Sequence, residues 1–177
     1  MALASRTVFL AGLMGAGKSS VARELAKLLG AEVVDSDEVV QREAGMKIAE
    51  IFAAEGEAGF RARERAAVVA LAERGGVVVA LGGGALAQPG VAELLTARGV
   101  VVYLRARVGT LVRRVGSGAG RPLLAGLDEA GRLAKLRELL AAREPFYRKA
   151  QLIVDTDNRP PRKIALEIAE RAREVAP

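Results

Sequence analysis

The 177 residues suit one domain, and a composition that is 51% hydrophobic but only 3% aromatic points to an α/β core built from Ala, Val, Leu and Ile. Neither cysteine nor histidine is present, which excludes disulfides, thiolate nucleophiles, Cys/His zinc sites and imidazole bases, so any catalysis rests on carboxylates, Lys, Arg, hydroxyls and backbone. The net charge of +6 raises a polyanionic partner, but basic and acidic residues alternate in stretches such as Arg61 to Arg65 and Arg162 to Arg173, which read as solvated helix faces.

In chain order, the first apolar run is Thr7 to Ala11, a buried strand. The stretch Val8 to Gly17 is too short and glycine-rich for a signal-peptide core, and it runs directly into Lys18. No segment approaches the roughly 20 apolar residues needed to cross a bilayer.

Gly12 to Ser19 then match Gly-x-x-x-x-Gly-Lys-Ser/Thr completely, with the strand before and an amphipathic helix from about Lys18 after. Such a loop turns successive backbone N–H groups toward phosphates, and the helix N-terminus adds a favourable dipole. Lys18 is expected to neutralise the β- and γ-phosphates and the Ser19 hydroxyl to ligate Mg²⁺. In the helix, Val21, Leu25, Leu28 and Leu29 share one face.

A second strand, Glu32 to Asp35, leads into Asp35-Ser36-Asp37 at a strand-to-helix junction. Those residue types suit an ordinary helix N-cap as well as they suit a site for a metal-bound water and an acceptor hydroxyl. From Ser36 to about Arg74 no strand appears, which predicts a small helical insertion.

The third strand, Val77 to Leu81, ends in Gly82-Gly83-Gly84, either a tight turn or a place where backbone N–H groups meet a ligand unobstructed. Val100 to Leu104 is the fourth strand. Gly116 to Gly126 is too glycine-rich for a helix and is expected to be a mobile loop. Leu133, Leu136 and Leu140 mark another helix, Leu152 to Asp155 the fifth strand, and Ile164, Ile168 and Val175 the last helical face.

Strands alternating with helices predict a largely parallel five-stranded sheet with helices on both faces, and this length leaves no room for a second core. Residues 1–177 therefore read as a single domain. The phosphate loop, Asp35 to Asp37 and the triple glycine all fall at the carboxyl ends of strands, where open parallel sheets bind ligands.

A GTPase is disfavoured, because the only asparagine, Asn158, precedes Arg159 rather than Lys-x-Asp. The third strand also lacks the terminal Asp of motor-type ATPases. Taken singly, Arg61, Arg121 and Arg143 read as surface charge.

The ordered set of phosphate loop, Asp-Ser-Asp, Phe60-Arg61, triple glycine, Arg121-Pro122-Leu123-Leu124 and Arg143-x-x-x-Tyr147 closely resembles the shikimate kinase family over about residues 6 to 170. The resemblance implies a three-layer P-loop kinase fold of the nucleoside-monophosphate-kinase type, with a substrate-binding helical region at about 36–63 and a mobile lid at about 116–127. It also implies ATP-dependent phosphorylation of the shikimate 3-hydroxyl.

Carried onto this sequence, the resemblance puts ATP on Gly15, Ala16, Gly17, Lys18, Ser19 and Ser20. Arg121 reaches from the lid, and Arg114 and Arg159 stand on the adenine side. Asp37, Arg61, Gly82, Gly83, Gly84 and Arg143 bind substrate, with Asp37 at the acceptor hydroxyls and the two arginines on the carboxylate. Mg²⁺ is held by Ser19 directly and by Asp35 through water, and Lys18, Asp37 and Arg121 carry catalysis.

A gluconate or other small-metabolite kinase of the same fold is the nearest rival. A non-catalytic nucleotide-binding module is the rival from another class, although four Phe and two Tyr do not supply the interleaved aromatics of an RNA binder. A cytoplasmic monomer acting on small molecules, without nucleic acid or membrane, is expected.

Overall fold

The computed structural model describes residues 6–175. Five parallel strands run β1 Thr7–Ala11, β2 Glu32–Asp35, β3 Val77–Ala80, β4 Gly99–Arg105 and β5 Leu152–Asp155. The helices are α1 Lys18–Leu29, α2 Ser36–Ala44, α3 Ile48–Ala72, α4 Val91–Arg98, α5 Val108–Val115, α6 Glu129–Tyr147 and α7 Pro161–Arg171. All five strands fall within a residue of the stretches expected from sequence.

The sheet order is β2-β3-β1-β4-β5, so the chain leaves β1 for one side of the sheet and later returns to pair β4 on the other. Such a reversal opens a crevice beyond the carboxyl ends of the strands. β1 is central and all five of its residues are buried, pairing Val8 with Val78 on one side and Val100 on the other. Continuous apolar runs are what a strand covered on both faces requires. The edge strand β2 is different, and Val33 is 41% exposed there.

Three expectations about helix faces change, one of them at Val175, which packs against the core but lies beyond the end of α7. In α1 the buried side chains are Val21, Ala22, Leu25 and Ala26, while Leu28 is 38% exposed. The buried stripe thus turns toward small alanines that let α1 lie close to its neighbours. In α6 only Leu136 of the three leucines is fully buried.

The expected helical insertion forms α2 and α3, and α3 is interrupted at Gly56, where φ is 71°. A left-handed residue of this kind breaks the ladder and is tolerated because glycine has no Cβ. The glycine-rich stretch from Gly116 has no α-helix, only a 3₁₀ turn at Pro122–Leu124.

Candidate functional site

β1 delivers the chain at Gly12 into the phosphate loop. Gly12 has φ 144°, and a Cβ there would stand 2.6 Å from the Leu104 carbonyl oxygen, so only glycine lets the loop leave between β1 and β4. Gly17, left-handed at φ 91°, is the N-cap of α1. Lys18 folds back over the loop, its Nζ donating to the Gly12 and Leu13 carbonyls at 2.8 and 3.1 Å. Burial pulls this ammonium from its ordinary value down to about 8, against the pull of Asp37 and Asp35.

Asp35 answers both sequence readings at once. One carboxylate oxygen, Oδ1, accepts from the Asp37 N–H at 2.9 Å and caps α2, while Oδ2 accepts from the Ser19 hydroxyl at 3.2 Å. The strand-to-helix junction therefore holds its cap and still turns an oxygen to the phosphate loop.

Asp37 lies deeper. Its Oδ1 is buried without a partner, as is Glu64 Oε1, and both converge on Gly82: a Cβ there would meet them at 2.7 and 2.2 Å. Burial, then Asp35 and Glu64, pushes the Asp37 carboxyl up to about 6.

Glu64 has no solvent exposure, and its Oε2 accepts from Arg61 Nη1 at 2.6 Å and Gln88 Nε2 at 2.8 Å. This corrects the reading of Arg61 to Arg65 as a solvated face. Arg63 does face outward and pairs with Glu55, but Arg61 and Glu64, one turn apart on α3, point inward. The Arg61/Glu64 spacing was the signal that sequence reading passed over, because an i,i+3 pair looks the same on either face.

Arg143, on α6, is 8% exposed and takes part in no ion pair among the described residues. A guanidinium taken out of water without a carboxylate partner favours an incoming anion.

One cavity of about 800 Å³ joins these groups. Gly15, Ala16, Gly17, Lys18, Ser19 and Ser20 line its floor; Asp35, Asp37, Arg61, Gly83, Gly84 and Arg143 line one end. Arg114, Arg159 and Pro161 line the other, and Arg121 borders it from the loop after α5. Gly82 alone of the expected residues stands behind the wall, its N–H donating to the buried Ser36 hydroxyl at 2.9 Å.

Arg114 holds Thr156 by its hydroxyl at 3.0 Å and its carbonyl at 2.8 Å, which joins α5 to the segment after β5. Arg159 is steadied by Glu167 and the Asp155 carbonyl. Phe52 and Ile48, not singled out from sequence, add an apolar wall to the end that holds Asp37.

Six cations (Lys18, Arg61, Arg114, Arg121, Arg143 and Arg159) face three carboxylates (Asp35, Asp37 and Glu64) around the cavity, so it collects anions. Among the described residues no group of three or more acidic, His or Cys side chains could hold a metal. Ser19 and Asp35 instead offer two hard oxygens, a set that fits a Mg²⁺ ion bringing phosphate and water for the rest of its shell.

Comparisons with known proteins point to one family. The sequence model of the family described as Shikimate kinase matches residues 14–173. A shikimate kinase of Halorhodospira halophila is 49% identical over 164 residues, 92% of this chain and 91% of the relative. One of Pseudomonas syringae pv. tomato is 45% identical over 173 residues, covering 97% and 99%. Among solved structures, shikimate kinase from Acinetobacter baumannii in complex with shikimate superposes with a TM-score of 0.91 at 39% identity, covering 97% of this chain and 95% of that one. The Aquifex aeolicus shikimate kinase gives 0.80 at 30% identity, covering 96% and 98%.

Proposed function

From the chain's membership of the shikimate kinase family, shown by the match over residues 14–173 and by relatives of nearly full length, we propose a division of labour among the residues of the cavity. The chain is an ATP-dependent kinase that phosphorylates a hydroxyl of shikimate. In our reading that hydroxyl is the 3-hydroxyl, and the product is shikimate 3-phosphate with ADP.

ATP lies with its phosphates over Gly15 to Ser20 and its adenine between Arg114 and the Arg159–Pro161 segment. The Ser19 hydroxyl would hold Mg²⁺, with Asp35 reaching it through water, and the ion would supply charge neutralisation on the phosphates. Shikimate enters the end lined by Arg61, Arg143, Gly83 and Gly84, with its carboxylate on the two guanidiniums and its vicinal hydroxyls on Asp37. Glu64 aligns Arg61 for that role by holding its Nη1.

The observation that carries this reading is the buried Arg143, without an ion pair, on the same cavity as the phosphate loop. Its guanidinium stands beside Gly83 at the triple-glycine wall, a second anion grip in addition to Lys18.

Phosphoryl transfer passes through a loose transition state, so catalysis rests on positioning and on charge. Lys18 and Arg121 absorb charge on the transferred group, while Asp37 orients the acceptor hydroxyl and takes its proton. Residues 36–63 act as the substrate-binding region, and the lid at 116–127 closes over the bound pair to exclude water. Among the described residues no helix is long and apolar enough to cross a membrane. We place the enzyme in the cytoplasm as a monomer.

The direct test is ADP release from ATP and Mg²⁺ by the purified protein with shikimate, gluconate, AMP, CMP or no acceptor. Strong stimulation by shikimate alone is expected. Stimulation by gluconate instead would reassign the acceptor, and ATP binding without any turnover would leave only a nucleotide-binding module.

A second expectation concerns protons. The ammonium of Lys18 sits at about 8 in the free protein, and bound phosphates favour its charged form. Near pH 8, ATP binding should therefore take up about half a proton through this group. Calorimetry in buffers of different ionisation enthalpy reads that number, and Lys18→Met should abolish it.

A further inference from the structure

Three consecutive glycines have no steric preference of their own, so something outside them must fix which way their peptide groups face. Two side-chain hydroxyls from opposite directions do this. Ser36, fully buried in the first turn of α2, accepts from the Gly82 N–H at 2.9 Å. Tyr147, in the last turn of α6, donates its hydroxyl to the Gly83 carbonyl.

Tyr147 is 1% exposed and does not line the cavity, whereas Gly83 and Gly84 do. The Gly83 carbonyl is therefore drawn away from the cavity. Because the peptide is planar and trans, the Gly84 N–H at its other edge points the opposite way, away from Tyr147. Neither the Gly83 nor the Gly84 N–H has a hydrogen-bond partner among the described residues. Arg61 Nη1 lies 2.4 Å from where a Gly84 Cβ would be, so this donor stands beside a cationic group of the substrate end.

The tyrosine is itself held. Its ring packs on Tyr103 of β4 at 5.0 Å between centroids, and burial keeps its proton on well above the ordinary range, so it remains a donor at any working pH. Arg143 is one helical turn earlier, with Nη1 3.3 Å from where a Gly83 Cβ would lie. One turn of α6 thus carries both Arg143, which hydrogen-bonds the Tyr147 side chain and has no ion pair among the described residues, and the latch on the adjoining glycine loop.

We propose that Tyr147 is a positioning residue for acceptor binding: with Ser36 it clamps the triple-glycine loop so that the Gly84 N–H faces an oxygen of the anionic substrate. Loss of the Tyr147 hydroxyl leaves a peptide between two glycines free to rotate, and the donor is then presented only part of the time. The proposal rests on the shikimate reading for the identity of the substrate, but the clamp itself does not.

The test is Tyr147→Phe, which keeps the ring on Tyr103 and removes only the hydroxyl. The KM for shikimate is expected to rise about tenfold, the effect of one lost hydrogen bond, with the KM for ATP within about twofold of the parent. Backbone exchange over residues 82–85 is expected to quicken while exchange in β1 and β4 does not. A shikimate KM within twofold of the parent, both KM values rising together, or unchanged exchange at 82–85 would overturn the proposal. If Tyr147→Phe does not fold, Ser36→Ala releases the other end of the loop and is expected to show the same split. Should the parent show no response to shikimate, the substrate reading fails, and the exchange measurement still decides the clamp.

Discussion

Lys18→Met is expected to lower kcat roughly a thousandfold or more while the protein remains folded, the scale seen when a principal charge-stabilising donor is removed from a transition state. Methionine keeps the length and most of the apolar stem, so the change is confined to the charge and its hydrogen bonds to Gly12 and Leu13. The sign for stability is opposite to that for activity. Because burial pulls the Lys18 ammonium down to about 8, its protonated form is disfavoured in the fold, and the stability this group contributes is present at high pH and lost as pH falls through about 8. Removing the charge should therefore leave Tm at pH 7 unchanged or higher. A variant with kcat within tenfold of the parent would take Lys18 out of the transition state.

Asp37→Asn is the second large effect, with kcat reduced at least about tenfold and ATP binding preserved. Its carboxyl is pushed up to about 6, first by burial and then by Asp35 and Glu64. In the parent, kcat/KM for shikimate should accordingly fall as pH drops through about 6 and the carboxylate is protonated. Stability again runs the other way: for a carboxyl raised above its ordinary value, the contribution is complete at low pH and lost as pH rises through about 6. Asn carries no charge, and its amide can donate toward the unpartnered Glu64 Oε1, so Asp37→Asn should be more stable than the parent at pH 8. Lost turnover with gained stability separates a functional carboxylate from a structural cap. Near-normal turnover would remove Asp37 from the mechanism, and a lower Tm at pH 8 would show that its charge is satisfied in the fold.

The two variants act on one feature of the cavity. Burial disfavours the charged forms of both Lys18 and Asp37, and each favours the charged form of the other electrostatically. Binding of phosphates at one end and hydroxyls at the other relieves both, so the site is strained toward its ligands rather than away from them.

How much was legible in advance depends on the range of the physics. The five strands, the phosphate loop, the Asp35–Asp37 junction and the triple glycine are set by neighbours in the chain: apolar runs bounded by turn residues, and glycines where the backbone needs them. These are local properties, and the sequence alone determined them to within a residue or so. Even the ambiguity at Asp35 was local, and it dissolved because a carboxylate has two oxygens, one for the cap and one for Ser19.

Tertiary structure decided the rest. The order β2-β3-β1-β4-β5 brings Arg61 from α3, Arg114 from α5, Arg143 from α6 and Arg159 from beyond β5 onto one cavity, though no spacing in the chain marks them out from their neighbours. Helical periodicity says that Arg61 and Glu64 share a face and that Leu28 lies near Leu25. It cannot say what covers that face, so it failed at Glu64, which is buried, and at Leu28, which is not. Period comes from the geometry of a single helix, whereas burial comes from the other elements packed against it, and only the folded arrangement of all of them supplies that information.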